Sequence, residues 1–391
     1  MDSSKKYYFT EEHELFRQSL RAFLQKEVIP YIDEWEQKGE LPPEIYRRFG
    51  EMGYFGISFP EQYGGLDLDY FYAVIFTEEL VRVNSGGFGA SIGAHPGLAL
   101  THIAAEGNEA QKQKYLVPGI RGEIVGCLAI TEPGGGSDVA AIQTKAIREG
   151  DHFMVNGTKT FITNGVMSDF LVVAVRTNPD SKAGGISLLI IDRNTPGISA
   201  TKLKKLGWHA SDTGEIAFQD VKVPVENLLG AENQGFYYIM QHFASERLMM
   251  ALIGVAASAF ALELTLQYMA ERQAFGRTLN KFQVLRHRIA QMASEIEMNK
   301  QFVYSLCLRY QEGDYIVKEA AMAKLVATQL SDRVMYDCLQ MFGGYGYMED
   351  YPLARMFRDS RLGTIGGGTS EICCEIIAKM LIDDKAYQKA T

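Results

Sequence analysis

Residues 152–165 read HFMVNGTKTFITNG. The β-branched and aromatic residues here have the texture of strands, and Asn156-Gly157 is a dipeptide that favours the tight turn of a β-hairpin. Working outward, CLAIT from Cys127, DFLVVAVRT from Asp169, GISLLIIDR from Gly185, GISATKL from Gly197 and GEIAFQDVKVP from Gly214 continue the same texture. The strands are short, punctuated by Gly, Asn and Pro, and not separated by helices. That pattern argues a small β-sandwich or barrel rather than a sheet built from βαβ units.

Both flanks of this segment are helical. On the N-terminal side, EEHELFRQSLRAFLQKEVIPYIDEWEQ begins at Glu11 and puts Leu15, Leu20, Phe23, Leu24, Val28 and Ile32 on one stripe. Thr10 is the expected N-cap, ahead of Glu11 and Glu12. On the C-terminal side, long apolar-periodic segments start near Phe236, Asn280 and Val317, and several exceed about 20 residues, which fits a helix bundle. The expected fold is therefore α+β and multidomain: an N-terminal helical domain over 1–126, a middle β-sandwich or barrel over 127–235, and a four-helix-bundle-like domain over 236–391. No internal repeat or low-complexity region interrupts it.

Composition bounds the function. The 391 residues are 47% hydrophobic, enough for a large buried core. Lys and Arg number 39 against 48 Asp and Glu, a formal charge of −9, which argues against nucleic-acid binding through a global positive field. The five cysteines form no C-x-x-C pair and read as reduced core thiols, and the histidines show no metal-ligand spacing, so no metal is expected. The N-terminal MDSSKKYYFTEEHELF lacks the apolar stretch of a signal peptide and the character of an Arg-rich transit sequence. With no apolar run of membrane-spanning length, the expectation is a cytoplasmic protein, or a mitochondrial-matrix one only if a presequence has been removed.

Glycine is abundant, at 38 residues, yet no G-x-x-x-x-G-K-[ST] phosphate loop occurs. Gly87-Phe88-Gly89 and Gly344-Tyr345-Gly346 lack the third glycine of a dinucleotide fingerprint. TEPGGGSDV at 131–139 leaves a strand for a loop rich in free backbone N–H groups, suited to an anion or a polar ring edge. Near the C-terminus, TIGGGTSEI at 364–372 strips three side chains from the mouth of a helix that Thr369 or Ser370 would cap.

Taken in order, TEPGGGSDV, NGTKTFITNG at 156–165, ERQAFGRTLNKFQ at 271–283, QMFGGYGYMEDYPLARMFRD at 340–359 and GGGTSEI at 366–372 resemble the acyl-CoA dehydrogenase family over essentially the whole chain. The resemblance implies an FAD whose isoalloxazine ring lies between the β domain and the C-terminal bundle. Leu128, Ile130, Thr131 and Ser137, with Phe161, Ile162 and Thr163, would touch it, and Thr369 and Glu371 map near it. Leu128 departs from the many relatives that carry an aromatic there, and Glu371 is a carboxylate where an amide would donate hydrogens. Arg272, Phe275, Gln283, Gln340, Gly343 and Gly344 resemble residues that reach the ADP part of an FAD held mostly by a neighbouring subunit. A homotetramer built as a dimer of dimers follows from the family.

Desaturating an acyl thioester between Cα and Cβ needs a desolvated carboxylate to take the α proton. Many family members place a glutamate at the position of Gly367. A branch resembling the isovaleryl-CoA and long-chain enzymes instead uses a glutamate before an arginine on the first long helix of the bundle, and Ser245-Glu246-Arg247-Leu248 stands there. Ile239, Phe243, Glu246, Met250 and Ile253 follow helical steps, so the carboxylate interrupts an apolar stripe, where desolvation raises a carboxyl pKa. The bland alternative is a structural ion pair of Glu246 with Arg247 or with His242 one turn earlier. Arg247 and Ser137 would contact the CoA thioester ligand, and Gly366 and Gly367 would leave room beside it.

The expected activity is α,β-dehydrogenation of a medium-chain, long-chain or branched acyl-CoA to the trans-2-enoyl-CoA, with hydride passing to flavin N5 and electrons onward to an electron-transfer flavoprotein. Such a role belongs to fatty-acid metabolism and β-oxidation. An acyl-CoA oxidase of the same fold, and a flavin-containing binding protein that does not dehydrogenate, are the alternatives.

Overall fold

A computed structural model describes residues 5–383, with helices, then strands, then helices in chain order. The first four and last eight residues, which belong to the expected terminal helical domains, lie outside the described residues. Thr10 caps the helix Glu11–Glu27: its hydroxyl accepts from the backbone N–H of His13, and the His13 imidazole accepts in return from the Thr10 N–H. Leu20, Phe23, Leu24, Val28 and Ile32 are buried as the stripe requires. Leu15 is not; it is 59% exposed, because five residues separate it from Leu20, and Phe16, four away, packs on the core instead.

The middle segment is one mixed eight-stranded sheet, and it stays open rather than closing into a barrel. Its strands are β1 (Gly126–Ala129), β2 (Lys145–Glu149), β3 (His152–Ile162), β4 (Phe170–Arg176), β5 (Ile186–Asp192), β6 (Ile198–Lys202), β7 (Gly214–Pro224) and β8 (Leu228–Leu229). The order is β6-β7-β3-β2-β4-β5-β8, with β1 parallel to β4. Both faces of β4 are covered. Val172 and Ala174 face Leu100, Ile103 and Tyr115 of the N-terminal helices, while Leu171, Val173 and Val175 join Phe153 and Ile216 in the sheet's own core.

Asn156-Gly157 does not turn the chain. Strand β3 runs straight through it, and the pairing with β7 shifts register between Val155 and Gly157. Asn156 bridges this bulge, its side chain exchanging hydrogen bonds with the Asp220 carboxylate and the Asp220 N–H. Gly157 is required for a different reason: a Cβ there would lie 2.7 Å from the Thr144 Cα.

The C-terminal helices are Gly235–Glu271, Gln283–Gln311, Val317–Phe342 and Ser370–Ile382, with the shorter Pro352–Ser360 among them. Leu248, Ala251 and Val255 of the first share one core with Phe71, Val74 and Ile75 of the helix Tyr70–Val81, so the N-terminal and C-terminal helices pack as one body. The helix Gly235–Glu271 is long and apolar enough to cross a membrane by composition, but half of its most apolar window is buried against neighbours, the behaviour of a core helix. Four cysteines are buried as expected; Cys374 is exposed.

Candidate active site

Glu246 sits in the first half of the long helix Gly235–Glu271. The stripe it belongs to is not the most deeply buried face. Ile239 is buried, but Phe243, Glu246, Met250 and Ile253 are only partly covered, while Leu248, Ala251 and Val255 fill the bundle core. Met250 and Ile253 of the stripe line a cleft. Glu246 Oε1, one turn before Met250, is buried without a hydrogen-bond partner, and burial pushes the carboxyl up from an ordinary 4.5 to about 8, with the Arg247 charge opposing the rise.

The ion-pair alternative with His242 is not realised, since His242 Nε2 is likewise enclosed with no partner. His242 stacks at a tilt against His102, ring centroids 4.4 Å apart, and His102 donates through Nδ1 to the Leu98 carbonyl. Burial lowers the pKa of both, so the pair is neutral near pH 7.

Arg247 is buried, with its guanidinium carbon 5.3 Å from the centre of the Phe243 ring. Opposite lies the glycine triplet. A Cβ on Gly367 would meet Met250 Cγ at 3.2 Å, and one on Gly368 would lie 4.0 Å from Arg247 Nε. Gly367 and Gly368 have φ of 63° and 91°, left-handed values that glycine takes without strain. Thr369 then caps Ser370–Ile382 by accepting from the Ile372 N–H, and Glu371 is exposed in the first turn. Lys324, wholly buried, donates its ammonium to the Gly368 carbonyl. Its only sequence signal is a lysine amid AAMAKLVA, too faint to have named it.

Leu128 and Ile130 pack in the same cluster as Ile239 and Phe243, which brings the end of β1 beside the turn of helix preceding Glu246. Thr131 is joined to the second motif, because the Thr160 N–H donates to its carbonyl at 2.9 Å. Next along, Phe161 has a φ of 61°, unusual for an aromatic residue, and its ring is 69% exposed. Thr163 is partly covered, whereas Ile162 buries its side chain in the sheet core, pairs with Gly214 in the ladder and accepts the Gly165 N–H on its carbonyl, so it offers a ligand little. Ser137 stands exposed after Gly134 and Gly135, which have nothing within 4 Å of an added Cβ. A presented aromatic ring, hydroxyls and an open glycine loop on one edge fit a flavin ring.

The remaining candidates cluster elsewhere. Arg272 ends the long helix and lies over the Tyr345 ring at 5.2 Å, next to Gly343 and Gly344, which are open to solvent. Phe275 and Gly276, both with positive φ, turn a small hairpin and leave Phe275 96% exposed; Gln283 begins the next helix, and Gln340 accepts from the Gly343 N–H. Twenty-six residues of helix separate Arg272 from Glu246, about 39 Å at ~1.5 Å per residue. Sequence reasoning assigned these residues to an FAD held mostly by a neighbouring subunit; within one chain they lie well apart from Glu246.

A cavity of about 550 Å³ opens from the Glu246 side of the helix, lined by Ser245, Met249, Met250 and Ile253 on one wall and by Gly89 and Gly93 on the other. Added Cβ atoms at Gly89 and Gly93 would meet nothing within 4 Å. The sequence hid this cavity, since its walls come from different domains.

Known proteins share this arrangement. Family models for the acyl-CoA dehydrogenase N-terminal, middle and C-terminal domains match residues 10–123, 127–221 and 233–382. The chain is 41% identical over 381 residues to the mitochondrial long-chain specific acyl-CoA dehydrogenase of Sus scrofa, covering 96% of this chain and 88% of that protein. It is 38% identical to the mitochondrial isovaleryl-CoA dehydrogenase of Pongo abelii, covering 93% and 87%. An acyl-CoA dehydrogenase crystal structure from Geobacillus kaustophilus superimposes with a TM-score of 0.94 at 44% identity, covering 96% and 99%. With its helices, open sheet and motif-bearing cleft matched along nearly the whole length, this chain belongs to the acyl-CoA dehydrogenase family.

Proposed function

We propose that this protein desaturates a medium-chain, long-chain or branched acyl-CoA to the trans-2-enoyl-CoA, with Glu246 as the base. The observation that carries the reading is the buried Glu246 Oε1, without a hydrogen-bond partner, one helical turn before Met250, whose Cγ would meet a Cβ on Gly367. An α C–H is a weak acid, and a carboxylate whose pKa is raised by burial is a stronger base toward it than a solvated one. The glycine loop 366–368 keeps side chains away from the thioester; the Gly366 N–H is spent on the Leu362 carbonyl, which leaves Gly367 and Gly368 as the candidates to polarise the thioester carbonyl. FAD, the cofactor of this family, supplies the hydride acceptor when bound.

Leu128, Ile130, Thr131, Ser137, Phe161, Ile162 and Thr163 hold the ring, with Thr369 and Glu371 beyond the glycines. Arg247 and Ser137 meet the CoA end, and Gly366 and Gly367 leave space beside the thioester. The 39 Å gap supports assigning Arg272, Phe275, Gln283, Gln340, Gly343 and Gly344 to the ADP half of an FAD carried by a neighbouring copy, in a dimer of dimers. An electron-transfer flavoprotein would take the electrons onward. The cavity takes the acyl tail: from Ser245 to Ala257 it follows about 18 Å of helix. An extended chain advancing roughly 1.2 Å per bond fills that length with about 15 bonds.

Anaerobic addition of an acyl-CoA to the flavin-loaded protein is expected to bleach the flavin band near roughly 450 nm. Failure to bleach across a chain-length and branching series would leave the non-dehydrogenating binding protein as the reading. Recolouring by air as fast as by an electron-transfer flavoprotein would favour the oxidase.

A further inference from the structure

Two charged groups outside every role assigned above lie buried between the flavin-facing segments. Lys159, in β3, is completely buried, and Glu132, just past β1, is 8% exposed. Lys159 Nζ lies 2.8 Å from Glu132 Oε1 and donates as well to the Ile130 carbonyl at 3.0 Å. The same carboxylate accepts the Thr144 N–H at 2.9 Å through Oε1 and the Gln143 N–H at 2.7 Å through Oε2. Burial alone would raise the Glu132 pKa, but Lys159 and these donors hold it below the ordinary value; burial pulls Lys159 down to about 8. Glu132 is thus an ionised hub whose hydrogen-bonding capacity is used in several directions at once.

The hub lies where the sheet becomes irregular. Between Lys159 and Ile162 the register of β3 against β7 shifts, so Thr160 and Phe161 leave the ladder. Thr160 N–H turns instead to the Thr131 carbonyl, and Phe161 adopts its left-handed φ with the ring pointing outward. Such a backbone state is costly for a residue with a side chain and persists only when its surroundings over-determine it. Lys159 is the last regular residue before the bulge, and it is tied to both Ile130 and Glu132. Burying an ion pair is a poor way to gain stability. Fixing the separation of two segments is a better reason for it to be here.

We propose that Glu132 and Lys159 are positioning residues that preform the flavin cradle, locking residues 130–132 against the Phe161 bulge before the cofactor arrives. The inference rests on the flavin site proposed above. Neither residue touches the reacting atoms; they act through Ile130, Thr131 and Phe161.

The test compares Lys159→Met, Glu132→Gln and the double variant Glu132→Gln/Lys159→Met as flavin-stripped full-length protein titrated with FAD, following quenching of flavin fluorescence. Each single variant leaves one buried group without its partner and is expected to lose stability. The double variant removes both charges and is expected to fold, to bind FAD at least about tenfold more weakly, and to shift the bound flavin's absorption envelope. A folded double variant with unchanged FAD affinity and spectrum would overturn the proposal. If it does not fold, hydrogen exchange on the unaltered protein decides: the Glu132 and Thr160 amides, which donate to the Gly135 and Thr131 carbonyls, are expected to be protected already without FAD, and free exchange there until FAD is added would refute a preformed cradle. Unaltered protein that neither binds FAD nor protects these amides on its addition would sink the flavin site itself, a distinct result.

Discussion

Replacing Glu246 by glutamine should make the enzyme far slower and, in alkaline solution, more stable. The carboxyl titrates near 8 in the folded protein instead of the ordinary 4.5. A group whose folded pKa is raised binds its proton more tightly folded than unfolded. The folded state therefore loses stability as pH rises from about 4.5 to 8, and the full cost is present above that window. At ~1.36 kcal/mol per pH unit, the 2.5-unit interval from 4.5 to pH 7 sets a ceiling of about 3 kcal/mol. Because the residue is partly exposed, solvent screening brings the expected figure to about 1–2 kcal/mol. Glutamine has the same shape and never charges, so it escapes this cost.

Thermal unfolding of flavin-loaded wild type and Glu246→Gln at pH 5, 7 and 8.5 reads the effect. The midpoints should nearly coincide at pH 5, and the variant should lead by a few degrees at pH 8.5. Single-turnover flavin bleaching should fall by about 10²- to 10⁴-fold with FAD content unchanged. In the wild type, kcat/KM should climb with pH through about 8 as the free base loses its proton. A midpoint difference constant across pH would show that Glu246 is not desolvated, and near-normal turnover would show that it is not the base.

Gly93→Leu, placed where the cavity wall has open space, is expected to cut kcat/KM for acyl chains longer than about eight carbons at least tenfold while sparing butyryl-CoA; a substrate series measures it. Arg272→Ala should weaken FAD binding by about tenfold or more through loss of a charge-assisted contact, read by titrating the flavin-free protein, with the pH profile of any remaining turnover unchanged. Lys324→Met removes the donor to the Gly368 carbonyl. Loss of a buried charged hydrogen bond of about 1.5–3 kcal/mol should lower the unfolding midpoint and raise KM for acyl-CoA as the glycine loop loosens.

The α, β, α order was legible because periodicity and turn residues are local properties of the chain. Thr10, followed by Glu11 and Glu12, marks a helix start in one short window, and the structure agrees, adding His13 as the reciprocal partner. Asn156-Gly157 misled for the same reason: the dipeptide suits a hairpin turn, but what selected it is Thr144, distant in neither sequence nor space yet invisible to a turn rule. The barrel alternative failed because closure depends on how β6 and β8 lie at opposite ends of the sheet, a long-range fact. Glu246 could be singled out as a carboxylate on an apolar stripe, although Met250 and Ile253 of that stripe proved to line a cleft. Glu132 and Lys159 could not, because each looks like an ordinary polar residue at the edge of a glycine-rich loop or in an alternating strand. Their burial arises only when β1 and β3 are brought together.

The helix Gly235–Glu271 ties these observations into one mechanical argument. Its first half carries Ser245, Glu246, Arg247 and Met250, and its end delivers Arg272, so a single rigid element spaces the two halves of the site about 39 Å apart. No rotation of side chains closes that distance. A base carried on a loop can adjust to its substrate, whereas one carried on this helix is fixed relative to the bundle and must have its substrate brought to it. The glycine triplet and the Lys324 contact then acquire a joint purpose. With Glu246 as the proposed base, the opposite loop needs no side chain, but it must hold its left-handed backbone steady, and a buried ammonium on the Gly368 carbonyl provides that restraint. Moving the carboxylate back to position 367 would put a side chain on a left-handed residue and a Cβ 3.2 Å from Met250 Cγ, so Met250 would have to give way and the loop would carry strain that glycine avoids.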